Sequence, residues 1–167
     1  APAGLAPLLL VMNSVLVVLF QVPLARFGGS TDAARRLLLP LAALFALGTL
    51  ALAVSALGGR GLAVTALVVA ALALTFVEMI HAIASWELSV ALAPDDAQGA
   101  YLGVHALAVA TQRFGGPLLL TGVIAAGPPA WAVLGVGLVA MCGGQHRVVS
   151  RGLRKSSLSV PTVTVSE

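Results

Sequence analysis

The stretch LAVTALVVAALALTFVEMIHAIASWELSVALA, Leu62 to Ala93, decides the fold. From Leu62 to Val77 it carries no charge, and no proline interrupts it before Pro94. As an α-helix it is about 48 Å long, against about 30 Å for the hydrocarbon core of a bilayer. A helix of that length crosses with tilt and emerges as an amphipathic end, here carrying Trp86 and Glu87. Pro94, Asp95 and Asp96 stop it. Two ionisable residues, Glu78 and His81, lie deep inside it and hold its chemical interest.

Outside this stretch the composition has the same character. Of 167 residues, 59% are hydrophobic and 9% charged, whereas soluble domains carry about 25% charged residues. Mean hydropathy is +1.05. A soluble domain of roughly 150 residues hides only about 70% of the surface its unfolded chain exposes, so the excess apolar surface must face lipid. The fold class expected is an all-α membrane protein. The formal charge of +3 and a pI near 10 do not point to nucleic acid, because the cations sit in short clusters beside apolar runs and no basic stripe interleaves with aromatics. The bilayer is the expected partner. The one cysteine, Cys142, excludes an intramolecular disulfide and a cysteine-based zinc site. The first residue is Ala1 and no signal-peptide pattern is present, so the sequence reads as a fragment or a processed product.

Four further spans are expected around the deciding stretch, which counts as the third. The first, 5–25, is uncharged, contains Asn13, Ser14 and Gln21, and ends in the loop RFGGSTDAARR. The second, 37–57, has Pro40 in its first turn, where a missing N–H costs little. The fourth, 100–126, carries Arg113 and the Gly115-Gly116-Pro117 break, tolerable in a membrane where neighbouring helices satisfy the freed backbone groups. The fifth, 130–144, is short and would use Gln145 and His146 at the interface. The spans and their loops make a transmembrane domain over 1–145. Residues 146–167 read as a disordered cytoplasmic tail, its Ser/Thr/Val alternation being a strand without a partner.

Orientation follows from the cations. Arg26, Arg35, Arg36, Arg147, Arg151, Arg154 and Lys155 fall on one side of five crossings, Arg60 alone on the other, and Arg113 inside. Cationic short loops stay cytoplasmic, which places the C-terminus inside and the start outside.

Glu78 lies about 20 Å from the inner end of its helix, near mid-bilayer. Intramembrane carboxyls usually face a bundle interior or a water-filled cavity. At 100° per residue, Thr75, Glu78, His81 and Ser85 form one stripe about 120° wide. Three readings are open for Glu78: proton coupling or substrate binding, a fixed pair with Arg113 at matching depth, or a position in a wet vestibule. His81 reads as a proton-coupling partner or as a hydrogen-bonded interior histidine. Arg113 keeps its charge and needs a carboxylate, carbonyls or water. Gln112, His105 and Tyr101, like Asn13 and Gln21, suit cavity lining or helix–helix hydrogen bonding equally. Gly99 and Gly103 form a GxxxG pair, a spacing that an Ala/Gly-rich chain also yields by chance. No metal cluster, cofactor motif or nucleophile-base-stabiliser set can be assembled, so neither a cofactor nor an enzyme is expected.

Glu78, Ala93-Pro94, Gly99-Tyr101-Gly103 and Gly116-Pro117, in that order and spacing, resemble the second half of a major facilitator superfamily transporter of the multidrug-efflux type. The resemblance implies that the five spans correspond to helices eight to twelve, that the preceding helices of the same transporter are missing, and that Pro94, Gly99, Tyr101, Gly103, Gly116 and Pro117 serve structure or gating. Asp32 and the Arg35-Arg36 pair keep part of the family's loop signature, whereas His81 and Arg113 are not residues its pattern supplies. The function implied is proton-coupled efflux of small amphipathic molecules across the plasma membrane. The alternative is a non-transport membrane scaffold that binds a partner protein.

Overall fold

A computed structural model describes residues 4–94 and 96–158, the last six of them by their backbone alone. It contains five long helices: α1 (Leu5–Ala25), α2 (Thr31–Ser55), α3 (Arg60–Ala91), α4 (Gln98–Ala126) and α5 (Pro128–Leu158). Among the described residues there is no strand. Each helix includes a segment long and apolar enough to cross a membrane. The expected all-α, five-span class is therefore what the chain adopts.

The helix limits follow local chemistry. Ser30, in extended conformation, caps α2 by accepting a hydrogen bond from the Ala33 N–H at 3.3 Å, and Asp32 in the first turn complements the helix dipole. α2 therefore starts at Thr31, not near Leu37. Pro40 is consequently interior to the helix rather than in its first turn, and deprives the Arg36 carbonyl of its usual partner. α4 and α5 are joined by Gly127 alone, whose φ of 82° lies where a side chain would be strained. Pro128 and Pro129 then open α5, where a missing N–H is harmless. α5 does not end near Gly144 but continues to Leu158. The disordered tail expected from residue 146 is thus helical as far as 158, and 159–167 lie outside the described residues.

α2 is the central helix. It packs along both α3 and α5, while α1 lies on α3 and α4 touches α5 and α3 only lightly. Leu38 and Leu41 of α2, Val77, Ile80 and Ala84 of α3, and Cys142 of α5 form the core. Two adjacent residues set the close approaches. Gly48 lies against Leu74 and Ala73 of α3, and Thr49 meets Gly135 of α5 with no room for a side chain on the latter. Thr49 turns its hydroxyl back to the Phe45 carbonyl at 2.7 Å, and buried Thr75 does likewise to Ala71 at 2.8 Å. Both therefore pack as apolar groups. Phe20 of α1 meets Phe76 of α3 edge-on, ring centroids 5.7 Å apart. The Gly99/Gly103 pair packs against nothing within the described chain.

α1 and α4 bury little: Leu5 in one and Val123 in the other. Val18 and Phe114, 78% and 81% exposed, typify their outward faces.

Gly135→Leu is expected to separate α5 from α2 and to destabilise the protein by about 1–3 kcal/mol, the usual cost of overpacking. Gly137→Leu gains the same helix propensity on an open face and is expected to be as stable as wild type or up to about 1 kcal/mol more so. Thermal unfolding in detergent followed by circular dichroism compares them, and equal effects would contradict the packing described.

Candidate functional site

Depth and direction part company in the middle of the bundle. Glu78 stands near the midpoint of α3 and is exposed. Arg113 stands at the midpoint of α4 and is exposed as well. No ion pair joins them: among the described residues the ion pair present is Arg35 with Asp32, at 3.1 Å. Of the three readings open for Glu78, the fixed pair with Arg113 is therefore not made within the described residues.

The expected polar stripe of α3 is divided among three environments, because an arc of about 120° exceeds what one neighbouring helix covers. Thr75 is buried against the bundle. Glu78 faces out of it. His81 and Ser85 are half-buried and line a cavity of about 320 Å³ between α2, α3 and α5, together with Leu38, Leu41, Gln145 and Val149. His81, open to a proton-coupling or a hydrogen-bonded interior reading, has no hydrogen bond among the described residues.

The remaining candidates are dispersed. Asn13 is half-buried in α1, whereas Gln21, Gln112 and Tyr101 are exposed. His105 lies across from the end of α3: Ser89 Oγ is 3.1 Å from its Nδ1, and Trp86 stands edge-on with ring centroids 6.1 Å apart. The hydroxyl donates when the ring proton is on Nε2. His105 therefore serves helix–helix hydrogen bonding. Pro94, Gly99 and Gly103 are exposed. α4 runs on through Gly116 and Pro117 without interruption.

At the end of the bundle where α2 starts and α5 finishes, Arg35 donates from Nε and Nη2 to Asp32 Oδ1 at 3.3 and 3.1 Å and from Nη1 to Ser150 Oγ at 3.1 Å. Ser150 in turn donates to the His146 carbonyl at 2.6 Å. This bridge ties α2 to α5. Arg36 is exposed beside it. Sequence reasoning overlooks Ser150 and Ser89, because neither stands in a pattern; their partners are fixed only once the helices are placed.

No group of three His, Cys, Asp or Glu side chains among the described residues is arranged to hold a metal ion. Cys142 is a buried free thiol. What the arrangement offers is a carboxylate and a guanidinium at mid-depth on faces that none of the five helices covers, and, elsewhere in the bundle, a cleft between α2, α3 and α5 with His81, Ser85 and Gln145 among its lining.

These features define a multi-pass α-helical membrane protein with ionisable groups at the level of the hydrocarbon core. Comparison with protein-family models, curated proteins and solved structures finds no match to the chain.

The Ser89–His105 contact is expected to fasten the start of α4. In a double-mutant cycle of Ser89→Ala and His105→Phe, unfolding in detergent is expected to give a coupling of about 0.5–1.5 kcal/mol. Additive effects would show that the two side chains act independently.

Proposed function

We propose that this chain is the C-terminal part, helices eight to twelve, of a secondary active transporter of the major facilitator type, exporting small amphipathic molecules in exchange for protons. The observation that carries the reading is the position of Glu78: mid-helix, and exposed on a face of α3 left bare by α1, α2, α4 and α5. An ionised carboxylate facing acyl chains is costly by at least several kcal/mol, so that face belongs against protein or water. A second set of helices enclosing a central cavity supplies both. Substrate and coupling-ion sites of such transporters lie near the bilayer midplane between two halves that rock against one another.

Arg113 at the midpoint of α4 adds to this reading, since a guanidinium that keeps its charge needs the same wet or protein-lined surface. Asn13, at half-depth in α1, and His81 are further lining candidates in the complete protein. The cationic end of the bundle, with Arg26, Arg35, Arg36, Arg147 and Arg151, is the cytoplasmic end by the positive-inside rule, and the membrane is the plasma membrane. Alone, five helices would lack the opposing wall of the cavity.

The bare faces of α1 and α4 also suit the scaffold reading, in which partner helices cover them. The two readings differ in whether Glu78 meets solute. In the full-length protein reconstituted into vesicles, Glu78→Gln is expected to lower proton-driven efflux more than about tenfold, as for loss of an essential proton-transfer group, with helicity retained. Glu87→Gln, nearer the helix end, is expected to keep transport. Unchanged efflux across pH in Glu78→Gln would remove Glu78 from the mechanism, and carbodiimide labelling of Glu78 indifferent to every transported solute would favour the scaffold.

A further inference from the structure

α4 and α5 share a one-residue joint, yet pack only lightly. Two helices of nearly equal length that start together and touch so little must diverge. At its other end α4 is held by α3, through Ser89 and Trp86 on His105. α4 therefore runs obliquely from the end of α3 to the beginning of α5, and α3 and α5, both seated on α2, do not pack on each other. The wedge they leave is the cavity of about 320 Å³, at the low end of the roughly 300–1,000 Å³ typical of ligand pockets. No residue of α4 lines it.

The wedge has a direction. Its walls pass from His81, Ser85 and Gln145 at the deep end, along Leu38, Leu88 and Val149, to Leu92 at the end of α3. Val148, 67% exposed, stands at the side opening. Arg35 lies one turn before Leu38 and Arg151 one turn after Val148, each within about 60° of the lining residue on its helix. Arg35 is held by Asp32 and Ser150. Arg36, Arg147 and Arg151 are exposed and have no carboxylate within ion-pair distance among the described residues. The walls are thus mainly apolar, the opening is lateral, and the mouth is cationic.

We propose that this wedge is a binding site for one anionic phospholipid, with an acyl chain between α3 and α5 and its phosphate at the mouth beside Arg151 and Arg35. Basic pockets between transmembrane helices hold anionic headgroups through such arginines, and a guanidinium pairs with phosphate oxygens in a bidentate manner. A zwitterionic lipid offers the same chain but no net charge to the mouth. The proposal requires only that the chain is in a membrane, not that it transports.

The test places a single reporter tryptophan, Val148→Trp, in a Trp86→Phe, Trp131→Phe background of the full chain reconstituted into phosphatidylcholine bilayers. Quenching by brominated-chain phosphatidylglycerol is compared with quenching by brominated-chain phosphatidylcholine. At the wedge the anionic lipid is expected to be preferred by about fivefold or more, the factor contributed by one cation near a phosphate. The same comparison with the reporter at Val18→Trp, on the open face of α1, is expected to show no preference. Arg151→Gln is expected to abolish most of the preference at the wedge and Arg151→Lys to restore most of it. Equal quenching by both lipids at Val148→Trp would overturn the proposal, as would an equal preference at Val18→Trp or an unchanged one in Arg151→Gln. Displacement of the brominated lipid by chainless glycerophosphoglycerol at similar concentration would also overturn it, by making the site one for a free anion.

Discussion

Two consecutive residues of α2 hold the bundle together. Gly48 admits Leu74 and Ala73 of α3 on one side, and Thr49 receives the bare backbone of Gly135 from α5 on the other. In lipid there is little hydrophobic force between helices, so association depends on close backbone approach and van der Waals packing. Thr49 fits this role because its hydroxyl is satisfied by the Phe45 carbonyl within its own helix, so that its Oγ1 and Cβ can lie against the Gly135 backbone without an unmet hydrogen bond. With α3 and α5 both fixed on α2, their divergence from one another, and the wedge between them, follow.

The same seating decides which polar groups are covered. α3 turns its Val77, Ile80 and Ala84 face to α2, so Glu78 faces the other way. α1 and α4 flank α3 without closing over that carboxylate. The molecule thus has two kinds of surface: apolar faces typified by Val18 and Phe114, which lipid solvates, and mid-depth positions at Glu78 and Arg113, which lipid does not. Transport is the proposal that gives the second kind a purpose.

Much of the fold is legible in the sequence, because apolar length alone marks a span: α1 coincides with the expected 5–25, and α3 and α4 begin within two residues of expectation. The discrepancies lie where helices run on into polar sequence. Ser30 and the Asp32–Arg35 pair stabilise a polar opening to α2 that an apolar window passes over. α5 likewise continues past Gly143 and Gly144, and its buried Cys142 and Val149, seven residues apart, are a helical signal present in the sequence. The candidate site is less legible. Spacing along a helix fixes depth and relative azimuth, but the direction a face points is set by neighbours. Glu78 and Arg113 match in depth and do not meet, and one stripe from Thr75 to Ser85 meets three surroundings.

Five helices that thread a bilayer leave Gly4 and Gly152 on opposite sides of it. Single cysteines replacing each in turn, in a Cys142→Ala background, report this in sealed, uniformly oriented vesicles treated with a membrane-impermeant maleimide. One of the two positions is expected to be labelled in intact vesicles and the other only after permeabilisation, with position 152 on the cytoplasmic side. Labelling of both from the same side would mean an even number of crossings and would contradict the threading of five helices.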